Sequence, residues 1–281
     1  MRMSIKIVTD STCDLPDFII QEYDITKIPV YINVKGKSYL DGIELSREKF
    51  YRILPGCKPP PTTSAPSVQI FRDAYESLAE KGATQIISIH ISEKLSSIIQ
   101  MARLAARETS KISVTVVDAG QISLGTGFMA FKAAIAALHK RNLTEILTTL
   151  EHYAERVYVF AVTDSLEYLQ RSGRMSRPLA GLGTLLQIKP LLKMHKGVPE
   201  VERVRTYKRA VKRMIDIVTD LGSLEQIAFV HTHATQAAEE LYEQAHHLLV
   251  KGKESWCVDV TPALGAHLGT GVVGFACVTL P

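Results

Sequence analysis

Two predominantly apolar runs, residues 85–91 and 112–117, stand on either side of a segment with helical spacing. In that segment, residues 95–107, the apolar positions are Leu95, Ile98, Ile99, Met101, Ala102 and Ala105. A strand that is apolar along its whole length must be covered on both faces. Two such strands joined through a helix imply parallel pairing with a right-handed crossover. Residues 5–8 form a further short strand, running into the polar loop 9–13. Asp14 and Pro16 then read as a helix start, since Asp caps and Pro fits the first turn. Residues 25–34 are rich in β-branched side chains and end at Lys35-Gly36-Lys37, a hairpin turn.

Beyond residue 157 the pattern changes. Strands are expected at 158–162, 185–194 and 198–204, the last two flanking a hairpin at Lys196-Gly197. A helix over 206–221, a strand at 227–230, a helix over 235–248 and strands at 256–260 and 272–280 complete the chain. Adjacent strands joined by hairpins favour a mainly antiparallel sheet. The chain therefore reads as α/β with two domains. Residues 1–157 form a three-layer α/β/α unit with a parallel sheet, and residues 158–281 a two-layer α+β unit. With 281 residues there is ample apolar material for both cores. The seam near residue 158 is a favoured place for a ligand pocket.

Composition narrows the function. Net charge is +4, with basic residues scattered among acidic ones, so nucleic acid is not an expected partner. The start of the chain lacks the apolar run of a signal peptide, and no stretch reaches transmembrane length. Cys13, Cys57, Cys257 and Cys277 form no CxxC pair and read as buried thiols of a cytoplasmic protein. Gly269-Thr270-Gly271-Val272-Val273-Gly274 matches GxGxxG, but the residues after it read as strand, so a tight turn is the better account. Gly125-Thr126-Gly127 reads as close helix packing. His231-Thr232-His233 lacks a third ligand at short spacing, and no metal or cofactor is expected. GxSxG, HExxH and P-loop patterns do not occur, which favours binding over catalysis.

Hydroxyls collect in four loops, at 9–12, 62–67, 92–97 and just after Asp118, all expected at the carboxyl edge of the parallel sheet. The 62–67 and 92–97 loops each enter a helix. A helix N-terminus offers unpaired N–H groups and partial positive charge, so it accepts an anion. Thr63, Ser64, Ser96 and Ser97 add hydroxyl donors there. His267 stands between glycines in residues 264–271, in a loop that lets backbone approach closely.

Taken in order, these segments are recognisable. Residues 8–16, the Thr63-Ser64-Ala65-Pro66-Ser67 motif, residues 91–97, 171–176 and 188–192, Arg205-Thr206 and residues 265–271 make the chain resemble the DegV family from end to end. That family includes the fatty-acid-binding subunits of bacterial fatty acid kinases. The resemblance implies a buried long-chain fatty acid such as palmitate, stearate or oleate, its carboxylate held by Thr63 and Ser96, with Ser64 and His267 assisting. It implies a separate ATP-dependent fatty acid kinase catalytic subunit that phosphorylates the bound carboxylate, with Arg171, Arg174 and Arg205 facing that partner or the phosphate. Transient contact with a membrane surface follows if lipid is to be collected. A rival expectation is a phosphotransferase of dihydroxyacetone-kinase type, using a His in a Gly-rich loop. Two positions depart from the family pattern: Ser97 stands where Gly is usual, adding a side chain beside the head group, and Thr270 where Pro is usual, loosening the His267 loop.

Overall fold

A computed structural model of the chain describes residues 4–174 and 188–281. Four strands, β1 (Ile5–Asp10), β2 (Thr26–Ile28), β6 (Gln85–His90) and β7 (Ser113–Asp118), form a parallel sheet in the order β2-β1-β6-β7. Every pairing in it is parallel, as the continuous apolar runs require. Helices α1 (Asp17–Glu22), α3 (Val68–Glu80), α4 (Ile98–Glu108), α5 (Leu124–Leu138) and α6 (Leu143–Ala154) surround it. α3 and α4 pack on each other and on β2 and β7, while α5 packs on β1 and β6 with α6 behind it. The strand order reverses between β1 and β6, so the crevice past their carboxyl ends is the expected ligand position.

The sequence expectation for 25–34 needs correction. Pro29 interrupts the run, and the segment divides between two sheets. After β2 the chain enters β3 (Tyr31–Val34), which pairs with β4 (Lys37–Leu40) and with β5 (Thr62–Ser64) in a three-stranded antiparallel sheet. The β3–β4 hairpin turns through Lys35 and Gly36, both at positive φ, as its sequence predicts. α2 (Arg47–Ile53) covers this small sheet, and Ile32, Val34, Leu45, Phe50, Tyr51 and Leu54 form its own core. A second correction concerns Asp14, which does not cap a helix. It sits in the left-handed region after a short 3-10 turn, and Pro16 holds the N-cap position of α1.

The second sheet has six strands in the order β10-β9-β8-β13-β11-β12. They are β8 (Val157–Val162), β9 (Lys189–His195), β10 (Val198–Val204), β11 (Leu224–His231), β12 (Cys257–Asp259) and β13 (Val273–Thr279). All pairings are antiparallel except β11–β12, which α9 (Thr235–Gln244) connects as a crossover. α8 (Tyr207–Asp220) and α9 cover one face, meeting Phe160, Val162, Phe229 and Phe275. The alternate residues Val157, Val159, Ala228, Val230 and Ala276 point the other way and join the core built on α5. This period-two alternation therefore binds the two halves of the chain face to face. Between β8 and β9 lies α7 (Glu167–Arg171), and between β12 and β13 lies α10 (Pro262–Leu268).

Expected strand residues 185–187, and Met175 and Ser176 of the 171–176 motif, lie outside the described residues. Among the described residues no helix is long and apolar enough to cross a membrane. Cys13, Cys57 and Cys277 are buried, but Cys257 is exposed, contrary to the reading of all four as buried.

Candidate functional site

A cavity of about 280 Å³ opens between the carboxyl edge of the parallel sheet and the inner face of the six-stranded sheet. Ile91, Leu95 and Ile122 line one side, Val159, Leu192 and Val230 the other, and Ala263, Leu264 and Leu268 of α10 close a third. Polar groups interrupt this mainly apolar lining at Thr12, Thr63, Ser64, Ser96, Ser97, Ser123 and His267, and Arg174, Lys193 and Glu200 bring charge to it. An apolar chamber with a few convergent polar groups suits a ligand that is mostly hydrocarbon with one polar end.

Thr63 does not sit in a loop entering a helix, as its sequence suggested. It lies on β5, opposite Ile32 of β3. Paired residues share a face, so Thr63 turns inward with the buried Ile32, while Ser64 turns outward. The Ser64 hydroxyl accepts a hydrogen bond from Asn33 Nδ2 at 2.8 Å, although Ser64 also borders the cavity. Helix α3 begins after Ser67, whose hydroxyl accepts from the Ile70 amide.

His267 is on a helix too, in the last turn of α10 and not in a glycine loop. Its Nε2 lies 2.8 Å from the Thr63 hydroxyl, joining two residues 204 positions apart. Burial, and secondarily the charge of Arg174, pushes the ring's pKa down to about 4, so it is neutral at pH 7. A neutral imidazole has one N–H. Placed on Nε2 it donates to Thr63, leaving Nδ1 as a buried acceptor without a partner among the described residues. Thr63 then keeps its own hydroxyl proton for the cavity.

Ser96 behaves similarly. Its hydroxyl accepts from the Ile98 amide at 3.3 Å, at the start of α4, so its proton is free to donate. Ser97 occupies the N-cap but makes no side-chain cap bond, and the Ser97 and Ile99 amides have no partner among the described residues. Two hydroxyl protons and a helix N-terminus thus face one chamber, and this set can hold a carboxylate.

Two hydroxyl-bearing lining residues, among others, escaped the sequence reading. Thr12 belongs to a recognised hydroxyl loop but carried no role. Its hydroxyl donates to Asp10, which also takes His90 Nδ1 at 2.9 Å and the Ile91 amide at 3.3 Å. His90 continues through Ser88 to Tyr75, a buried chain tying β1 to β6 at the crevice. Ser123 had no sequence signal beyond its residue type, and its hydroxyl donates to Asp14 at 2.6 Å.

The arginines separate. Arg174 borders the cavity, exposed, donating to the Ser172 carbonyl at 2.6 Å. Arg171 pairs with Glu167 on α7, and Arg205 is exposed before α8. The metal-like pair is engaged otherwise: His231 Nδ1 accepts from the Ala234 amide, and His233 stacks on Tyr51. Gly269 and Gly271, both at positive φ, make the tight turn expected before β13. The premise of the phosphotransferase reading, a His in a glycine-rich loop, does not hold.

A family model described as "Uncharacterised protein, DegV family" matches residues 4–280. The chain is 34% identical over 241 residues to a DegV domain-containing protein of Caldanaerobacter subterraneus subsp. tengcongensis, covering 84% of this chain and 85% of that one. Among solved structures it is similar to a DegV family protein from Thermus thermophilus, described for its fatty acid binding, with a TM-score of 0.89 and 32% identity. That match covers 99% of this chain and 100% of the other. A fatty acid binding DegV family protein from Streptococcus agalactiae matches with a TM-score of 0.90 and 28% identity, again over 99% of this chain and 100% of the other.

Proposed function

The chain belongs to the DegV family, and on that premise we propose that it binds a long-chain fatty acid, such as palmitate, stearate or oleate, as a carrier and not as a catalyst. One observation carries the reading: the Thr63–His267 pair and the Ser96 end of α4 open into the same mainly apolar chamber. The carboxylate accepts hydrogen bonds from the Thr63 and Ser96 hydroxyls, His267 orients Thr63, and Ser64 assists at the cavity border. Residues 1–157 supply the crevice, and residues 158–281 supply the sheet that completes the tunnel. Burying about fourteen CH₂ groups at about 0.8 kcal/mol each gives roughly 11 kcal/mol gross, before ordering costs. The tail therefore supplies most of the affinity, and the head-group bonds add to retention and fix orientation.

Within this reading the bound carboxylate is presented to a separate ATP-dependent kinase subunit for acyl phosphate formation in the cytoplasm. Arg174, at the cavity border, is best placed to meet that partner or the phosphate, with Arg171 and Arg205 as outlying contacts. Lipid is loaded by transient contact with a membrane surface. The test is retention of radiolabelled palmitate by Thr63→Ala and Ser96→Ala. Each change removes one charge-assisted hydrogen bond and is expected to weaken retention about tenfold or more, with the fold intact by circular dichroism. Unchanged retention in both variants would refute the head-group assignment.

A further inference from the structure

Two buried carboxylates meet at Thr261, the N-cap residue of α10. The Thr261 amide donates to Asp14 Oδ1 at 2.7 Å, and the Thr261 hydroxyl donates to Asp41 Oδ2. Asp14 also accepts from Ser123 at 2.6 Å, and Asp41 from Ser11 at 2.7 Å. Both residues are almost wholly buried, at 1% and 2% exposure. The Arg47 guanidinium, 3.7 Å from Asp14, is the only cation in salt-bridge range of either among the described residues. Asp41 Oδ1 has no partner among the described residues. The Thr261 hydroxyl makes no cap bond to α10, and neither carboxylate accepts from an amide within the helix, so helix capping does not account for two desolvated acids.

Their positions give a reason. Asp41 directly follows β4, in the three-stranded sheet whose β5 carries Thr63. Thr261 begins the helix that carries His267, six residues or about 9 Å further along its axis. The sheet and the helix are thus tied at two points, Asp41 to Thr261 and Thr63 to His267. Asp14 ties the same Thr261 to the parallel-sheet domain through Ser123 of the cavity wall. We propose that Asp41 is a positioning residue of the head-group site: acting through Thr261, it sets the rotation and height of α10 and so holds His267 against Thr63. The inference rests on the fatty-acid reading of the site for its consequence, but not for its geometry.

The test uses the full chain and two readouts. The first is ring titration of His267 by NMR, assigned with His267→Gln. It stays near 4 in the parent protein and in Asp41→Asn, which can still accept from Thr261. In Asp41→Ala and in Thr261→Val it moves toward the ordinary value of about 6.5 as the ring loses Thr63 and gains water. The second is release of radiolabelled oleate to phosphatidylcholine vesicles. Asp41→Ala accelerates release about tenfold in the parent but less than about twofold in a His267→Ala background, because coupled residues are not additive. Thr261→Val removes the same bond from the other side, so a poorly folding Asp41→Ala does not leave the question open. An unmoved His267 titration in Thr261→Val, or equal acceleration of release in both backgrounds, would overturn the proposal. A parent protein that takes up no oleate would refute the fatty-acid reading, while the titration still decides the positioning role.

Discussion

A histidine held near pKa 4 by burial stays neutral, with its Nε2 bonded to Thr63, across the whole neutral range. Its depressed value means that its contribution to stability is present above about 6.5 and is lost as pH falls toward 4. Asp14 has the opposite sign. Burial raises its carboxyl to about 7, against the pull of Arg47 and the bonds from Ser123 and Thr261. Stability from this group is full below its ordinary value near 3.8 and is lost as pH rises through 7. Asp14→Asn keeps the acceptor for Thr261 and removes the charge. Its gain over the parent, read from urea midpoints, should be about 2 kcal/mol larger at pH 8 than at pH 5.5. Equal gains at both pH values would show that Asp14 is not held protonated by burial. The sequence marked Thr63, Ser96 and His267 through residue type and motif. It offered nothing to mark Asp14 or Asp41 as partners of Thr261, because that convergence spans 247 and 220 positions.

Elements were legible where periodicity ran long and obscure where a few residues decided. The apolar run at 85–91 became the central parallel strand β6 and the run at 112–117 the partly buried edge strand β7, while Lys35-Gly36 and Lys196-Gly197 became hairpin turns with both residues at positive φ. Residues 62–64 are three polar positions after prolines, with no apolar alternation. Their strand exists because β3 offers an unpaired edge, which local pattern cannot reveal. α10 was hidden for a related reason: Gly265 and Gly269 suggested a loop, yet Gly265 lets the helix pass the Tyr51 ring, where a Cβ would come within 2.4 Å of its hydroxyl oxygen. Close packing was read correctly on α5. A Cβ on Gly127 would lie 2.5 Å from the Cys13 carbonyl and 3.0 Å from Leu15. Gly127→Ala should therefore lower stability by about 1–3 kcal/mol in urea denaturation, as overpacking does. An unaffected midpoint would mean that α5 need not approach the β1–α1 turn so closely.

At the scale of the molecule, the parallel sheet brings the Thr12 and Ser96 loops to one crevice, and the six-stranded sheet lays its inner face over that crevice. The sequence pointed to this much through the strand–helix alternation of the first half and the change of pattern after residue 157. It did not point to the third, three-stranded sheet, which supplies half of the Thr63–His267 pair. The residues of the proposed anion site were therefore visible in the sequence, while the proposal that the anion is a fatty acid rests on the family and on the mainly apolar chamber behind the site. The most direct measurement is mass spectrometry of lipid extracted from the purified full chain, followed by loading with palmitate and oleate. The account predicts one fatty acid per chain, either carried through purification or taken up to that stoichiometry. A protein that carries no fatty acid and takes up neither would contradict it.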